Sequence, residues 1–273
     1  MKKCKLLVSD VDFTLLGNAE HLSRFAKWLD EHRACIQLVL TSGRFIESIV
    51  DSVRETALPE PDYIVGGVGT EIQNYGDGTS IDAWDSDLAG NWDGDRVRQL
   101  LAEFDRLEPQ ADEFQSEFKV SYFLHEATPQ ELDSITRFLQ EHSIDAELIY
   151  SSDRDLDVLP AGCNKGTAAE FLTDHLGYES DDVIVCGDSA NDLAMFQFDF
   201  HGIVVGNAHP ELRALDDPAV YQSPHNYAAG VLDGLEHWLH RRPGKPLTAA
   251  DPATSAHPGE PCSFSRPTLL PRS

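Results

Sequence analysis

Five short runs rich in Val, Ile and Leu constrain this chain more than any other feature: KLLVS (5–9), IQLVLT (36–41), DYIVGGV (62–68), DVIVCG (182–187) and GIVVGN (202–207). They read as near-continuous apolar segments, as buried parallel strands do, and not as the in–out alternation of a strand with one wet face. Helical patterns lie between most of them, in AEHLSRFAKWLDEH, RFIESIVDSVRE, KGTAAEFLTDHL and NDLAMFQF. Strand and helix in alternation predict βαβ units, and so an α/β fold built on a doubly wound, mainly parallel, Rossmann-like sheet.

The middle of the chain departs from that pattern. DRVRQLLAEFDRL reads as a helix, EFKVSYFLH alternates like a half-exposed strand, PQELDSITRFLQEH is helical, and AELIYSS with DLDVLP has the look of a hairpin. An α+β block of this kind, set between parts of a parallel sheet, predicts an inserted domain over 82–160 and a core made of 1–81 and 161–241. SIDAW (80–84) and PAGC (160–163) are the expected crossings between the two. From residue 242 the chain is rich in Pro, Ser and Ala with little apolar periodicity, which predicts a disordered tail over 242–273.

Charge and cysteine usage narrow the partners. A formal charge of −26, from 47 acids against 21 bases, argues against nucleic acid and reads as a solubilising acidic surface. No apolar run reaches the roughly 20 residues a membrane span needs, and the first run gives way to SDVD too early for a signal peptide. Cys4, Cys35, Cys163, Cys186 and Cys262 are scattered and contain no CxxC pair, so reduced thiols in a cytoplasmic protein are expected. An anionic substrate in such a field needs local cations, which makes the few Lys and Arg near the acids informative.

In an open parallel sheet, ligands bind outside the carboxyl ends of the strands. Asp10 and Asp12 follow the first strand, and Thr41, Ser42, Gly43 and Arg44 follow the second. Asp188, Asn191 and Asp192, in GDSANDL, follow a later strand, and Lys165, in CNKGTAAE, opens the helix before it. Carboxylates converging on one point repel each other unless a cation lies between them, and oxygen ligands of this kind suit Mg²⁺. Mg²⁺ in turn suggests phosphate, whose oxygens the hydroxyls and amides of TSGR can take at a helix N-terminus. Lys165 can neutralise charge on phosphate and acids alike. Each motif alone is an ordinary turn, cap or acidic loop; together, in this order and at strand ends, they form a site.

D-x-D-x-T, then a Thr or Ser, then a Lys, then G-D-x-x-N-D is similar to the four-motif pattern of the haloacid dehalogenase superfamily of phosphatases. The inserted block resembles the α/β cap of its type II members. PDYIVGGVGTEI, KVSYFL, YSSDRDLDVLP, NKGTAAEFL and GIVVGNAHPEL resemble the sucrose-phosphate phosphatases and the similar mannosylfructose-phosphate phosphatases. The resemblance implies hydrolysis of a disaccharide phosphate, sucrose 6-phosphate foremost and the mannosylfructose phosphate as the alternative. Asp10 is then the nucleophile that becomes an aspartyl-phosphate, and Asp12 the acid/base. It implies phosphate binding by Thr41, Ser42 and Lys165, with Asn191 in support. It further implies Mg²⁺ held by Asp10, the Asp12 carbonyl and Asp188, backed by Asp192. Its partners are a small-molecule sugar phosphate and the glycosyltransferase, a sugar-phosphate synthase, that makes it.

The leaving group is expected to be read by the cap, with Lys119, Tyr122, Ser152, Arg154 and Asp155 as hydrogen-bonding candidates; Glu71 and Gln73 are further candidates after the third strand. Phe13 departs from the pattern, since relatives often carry Gly or Asn there. A signalling receiver domain is disfavoured because its phosphorylated Asp follows the third strand, where this chain has GGVGTEI. A phosphomutase or a catalytically silent sugar binder differs from a phosphatase in releasing no phosphate.

Overall fold

The first apolar run becomes β1 (Lys5–Asp10), buried at every residue after Lys5. In the computed structural model, which describes residues 4–90 and 92–239, it is followed by α1 (Ala19–His32), β2 (Ile36–Thr41), α2 (Ile46–Glu55), β3 (Tyr63–Gly66) and β4 (Glu71–Asn74). Next come α3 (Asp82–Ala89), α4 (Gly94–Leu101), β5 (Glu108–Pro109), β6 (Val120–Phe123), α5 (Pro129–Glu141), β7 (Ala146–Ser151) and β8 (Asp155–Pro160). The chain then returns through α6 (Lys165–Leu176), β9 (Val183–Gly187), β10 (His201–Val204), α7 (Pro210–Arg213), β11 (Val220–Gln222) and α8 (Tyr227–Leu239). The expected tail lies outside the described residues.

Seven strands form the large sheet in the order β11-β10-β9-β1-β2-β3-β4, parallel except for the β3–β4 pair. Side-chain alternation along each buried strand feeds two apolar layers. Leu7 of β1 packs with Leu38, Leu40, Ile184 and Ile203 against α1, α2 and α8, through Phe25, Ile49 and Leu235. Leu6 and Val8 point the other way and pack with Val39, Val183 and Val185 against α6, through Ala168, Ala169 and Leu172. Helices on both faces of a mainly parallel sheet are the α/β architecture that the apolar runs predict.

The smaller sheet, β5-β6-β8-β7, is antiparallel and has its own core. Val97 and Leu101 of α4 and Ile135 and Leu139 of α5 pack on Val120, Tyr122, Leu156 and Val158. α3 falls within 82–160, but its packing is with the large sheet. Trp84 and Leu88 join the α6-side layer, and the Trp84 indole donates to the Gly69 carbonyl at 3.0 Å.

One segment differs in type from expectation. Ala190–Gln197, read as helical, is a 3₁₀ run. The Asp192 carboxylate accepts from the backbone N–H groups of Asp188 and Ser189 at 2.9 and 3.1 Å, drawing its first turn tight. This run packs against the start of α6 at Gly166, where a Cβ would stand 2.3 Å from the Ala194 carbonyl oxygen. Gly166→Ala is therefore expected to cost about 1–3 kcal/mol of stability by overpacking, measurable by chemical denaturation.

Candidate active site

β1 ends at Asp10, at the point where the strand order departs to β2 on one side and to β9 on the other. The splayed loops leave a crevice at such a switch point. Asp10 registers with Thr41 of β2, and Ser9 with Cys186 of β9, so the loops after these strands flank the β1 exit. α6 delivers Lys165 from its first position, where Asn164 and Thr167 form a reciprocal cap.

The Lys165 ammonium is fully buried between Asp10 Oδ1 and Asp192 Oδ1, at 2.7 Å from each, and 3.3 Å from Asn191 Oδ1. Burial alone would lower its pKa, but the charges and hydrogen bonds of Asp10 and Asp192 outweigh burial and raise it. Asp192 has both oxygens engaged, one by Lys165 and the other by two backbone N–H groups. Asp188 is held by the Thr14 hydroxyl at 3.3 Å. Asp10 Oδ2 and Thr41 Oγ1 are buried and make no hydrogen bond to the protein.

Burial pushes the Asp10 carboxyl well above the usual range, with Asp192 and Asp188 adding to the effect and Lys165 opposing it. Burial, reinforced by Asp192, pushes Asp188 up to about 7. Ligand oxygens of Asp10, Asp188 and Asp192 lie within 4.8 Å of one another. A group of hard oxygen donors, with Asp188 costly to ionise, fits a divalent cation.

Asp12 is half-buried. Its Oδ2 accepts from Arg44 Nε at 2.8 Å and from the Ser42 hydroxyl at 3.2 Å. Arg44 is itself fastened to α2, its Nη1 donating to the Ser52 hydroxyl at 2.8 Å. The structure thus brings together Asp10, Asp12, Thr41, Ser42, Lys165, Asp188, Asn191 and Asp192. It adds Arg44 and Thr14, which the sequence reading left without a role although both sit inside the motifs TSGR and D-x-D-x-T.

The cap candidates separate. Lys119 is buried, pairs with Asp157 at 3.1 Å, and lies 5.2 Å from the ring centroid of Phe45, the residue after TSGR. Ser121 donates to the same carboxylate at 2.6 Å. Tyr122 faces the opposite way: it is packed in the cap core beside Leu156, so it backs the sheet and does not share the Lys119 face. Ser152 and Arg154 lie in the β7–β8 turn, where Ser152 and Asp153 have φ of 56° and 51°. Arg154 is spent on an ion pair with Asp155 at 2.9 Å and on the Phe123 ring. Asp155 pairs in register with Phe123, three residues along from the Val120–Val158 pair, about 10 Å from the Lys119 end. Glu71 accepts from the Ile46 N–H at 3.2 Å and caps α2.

A family model for sucrose-6F-phosphate phosphohydrolase matches residues 3–239. The chain is 36% identical to the mannosylfructose-phosphate phosphatase of Agrobacterium fabrum, over 87% of this chain and 98% of that protein. It is 33% identical to a probable sucrose-phosphatase of Arabidopsis thaliana over 85% of this chain, but spans only 59% of that longer relative. The sucrose-phosphatase of Synechocystis sp. PCC6803, solved with sucrose and phosphate, superposes with a TM-score of 0.81 at 33% identity, covering 86% of this chain and 98% of that one. Among the described residues no helix is long and apolar enough to cross a membrane.

The raised carboxyls fix the sign of a pH effect. Between the ordinary value of 3.8 and about 7, the folded cation-free chain keeps a proton on Asp188 that the unfolded chain has released, so this group's contribution to stability falls as pH rises. A divalent cation offsets that loss where the carboxyl must ionise. Its increment in Tm is expected to be larger at about pH 8 than at about pH 5.5, measurable by calorimetry with chelator and with added cation.

Proposed function

Because this chain belongs to the sucrose-6F-phosphate phosphohydrolase family, we propose that it hydrolyses sucrose 6-phosphate to sucrose and phosphate through an aspartyl-phosphate on Asp10. That it is a phosphatase of sugar-phosphate monoesters follows from the family itself. The observation that carries the mechanism is the division of labour within Asp10: Oδ1 rests on Lys165 while Oδ2 is buried and unbonded. An oxygen so placed can attack phosphorus once the carboxyl is ionised.

In the first step the P–O bond to Asp10 forms as the bond to the sugar oxygen breaks, and the Asp12 proton passes to that oxygen. In the second step water attacks phosphorus, Asp12 takes its proton, and the bond to Asp10 breaks. Thr41, Ser42 and Lys165 hold the phosphoryl oxygens, and Asn191 supports Lys165. Arg44 fixes one Asp12 oxygen, which leaves the other for proton transfer. Mg²⁺ fits Asp10, Asp188 and the Asp12 carbonyl, with Asp192 behind them, and when bound supplies charge stabilisation to the phosphoryl group.

The insertion over 82–160 reads the leaving group, with Lys119 the best placed of its candidates. The mannosylfructose phosphate is the second reading, favoured by the 36% identity to a relative that this chain spans almost completely. The glycosyltransferase that makes the substrate is the proposed protein partner, and the cytoplasm the proposed compartment.

Asp10→Asn is expected to abolish phosphate release, and Asp12→Asn to lower it about 10²–10⁴-fold, with the thermal transition of each variant reporting that the fold is kept. Near wild-type turnover by either variant rules the mechanism out. Phosphate release should also be at least about tenfold faster from the two disaccharide phosphates than from fructose 6-phosphate at matched concentration, because polar groups placed for a second ring stay unpaired without it. Equal rates would mean that no second ring is read.

A further inference from the structure

The loop after β10, within GIVVGNAHPEL, has no task in the chemistry above, yet it touches both acid-bearing loops. The His209 N–H donates to the Asp188 carbonyl at 2.7 Å. Two residues earlier, Asn207 Nδ2 donates to the Phe13 carbonyl at 2.8 Å, and Asn207 Oδ1 accepts from the Tyr227 N–H at 2.8 Å. The amide can be oriented only this way, because one partner is a backbone acceptor and the other a backbone donor.

Both partners are strained. Phe13 has φ of 61° and Tyr227 φ of 55°, in the left-handed region that residues with a Cβ avoid. The Tyr227 ring lies against Gly17, where a Cβ would come within 2.5 Å of it. One side-chain amide therefore ties down Phe13 directly and, through Tyr227, the end of the same loop. Burial does not hold Phe13 in place, since it is 64% exposed. It stands between Asp12 and Thr14, whose side chains face Arg44 and Asp188. Relaxation of Phe13 to negative φ would turn the chain between these two residues.

We propose that Asn207 is a positioning residue for the acid/base: its clasp keeps Phe13 left-handed and thereby aims the Asp12 carboxyl at the leaving oxygen. The inference rests on the role given to Asp12 above. It makes a distinction that general destabilisation does not. A sugar alkoxide needs a proton to depart, whereas p-nitrophenolate leaves without one, and kcat/KM reports only the steps up to that departure.

The test measures kcat/KM for sucrose 6-phosphate and for p-nitrophenyl phosphate in wild type, Asn207→Ala, Phe13→Gly and the double variant. Asn207→Ala should lose about tenfold or more with sucrose 6-phosphate and less than about threefold with p-nitrophenyl phosphate. Phe13→Gly should restore the lost activity in the double variant, because glycine holds positive φ without a clasp. Should Asn207→Ala not fold, Asn207→Asp is read in its place, since it keeps the acceptor for Tyr227 and removes only the donor to Phe13. Equal losses on both substrates, no loss, or no recovery with Phe13→Gly overturn the inference. A wild type that leaves sucrose 6-phosphate intact overturns the assigned substrate, and this inference with it; a wild type that cleaves it alongside failing variant ratios overturns this inference alone.

Discussion

Carboxyl oxygens of three aspartates within 4.8 Å of one another, all in buried residues, make a site that cannot stay charged unaided. The Lys165 ammonium is what makes the arrangement tolerable, contacting two of the three at 2.7 Å from a fully buried position. Several distant features serve that contact. The Asn164 cap fixes where α6 begins, Gly166 lets α6 approach the 190–197 turn, and the Asp192 bonds to Asp188 and Ser189 hold the acidic loop in place. Removing any one of them moves either the cation or its partners. A buried ion pair broken on one side costs far more than the intact pair contributes.

The smaller sheet uses strand alternation to present two unlike faces. Val120, Tyr122, Leu156 and Val158 face α4 and α5 and form the apolar layer between them. Lys119, Ser121 and Asp157 lie on the other face as a connected polar group, with Lys119 reaching the Phe45 ring ahead of α2. A polar surface of this kind is suited to sugar hydroxyls because its donors and acceptors are already fixed by one another.

Much of this was legible in the sequence. The strand-end rule needs only the apolar runs, and D-x-D-x-T, TSGR, the lone Lys165 and GDSAND are local patterns whose meeting follows from the topology. What stayed hidden depended on tertiary contacts. Arg44 gained its place only once Asp12 Oδ2 lay 2.8 Å from its Nε. The 3₁₀ form of 190–197 is imposed by Asp192 reaching back to the chain before it, which apolar periodicity does not record. The opposite facing of Lys119 and Tyr122 could have been read from their offset of three positions, because along a strand residues at odd offsets point to opposite faces. The positive φ of Phe13 also accounts for the Gly or Asn that relatives often carry there, since those residues adopt that conformation at least cost.

The pairing of acids with cations in the crevice also bears on the order in which ligands arrive. Among the described residues, the side-chain cations that Asp10, Asp12 and Asp192 contact are Lys165 and Arg44, and the chain around them has a formal charge of −26. A phosphate dianion diffusing toward the crevice meets the repulsive field of that chain charge, which a bound divalent cation offsets locally. Association therefore favours cation before sugar phosphate. Moderate ionic strength, by screening the long-range field over a Debye length of about 8–10 Å, should speed the encounter where it would slow it for a site of opposite sign. Acidity here acts as a gate on sequence of arrival, set by electrostatics at a distance and not by the fit of the pocket.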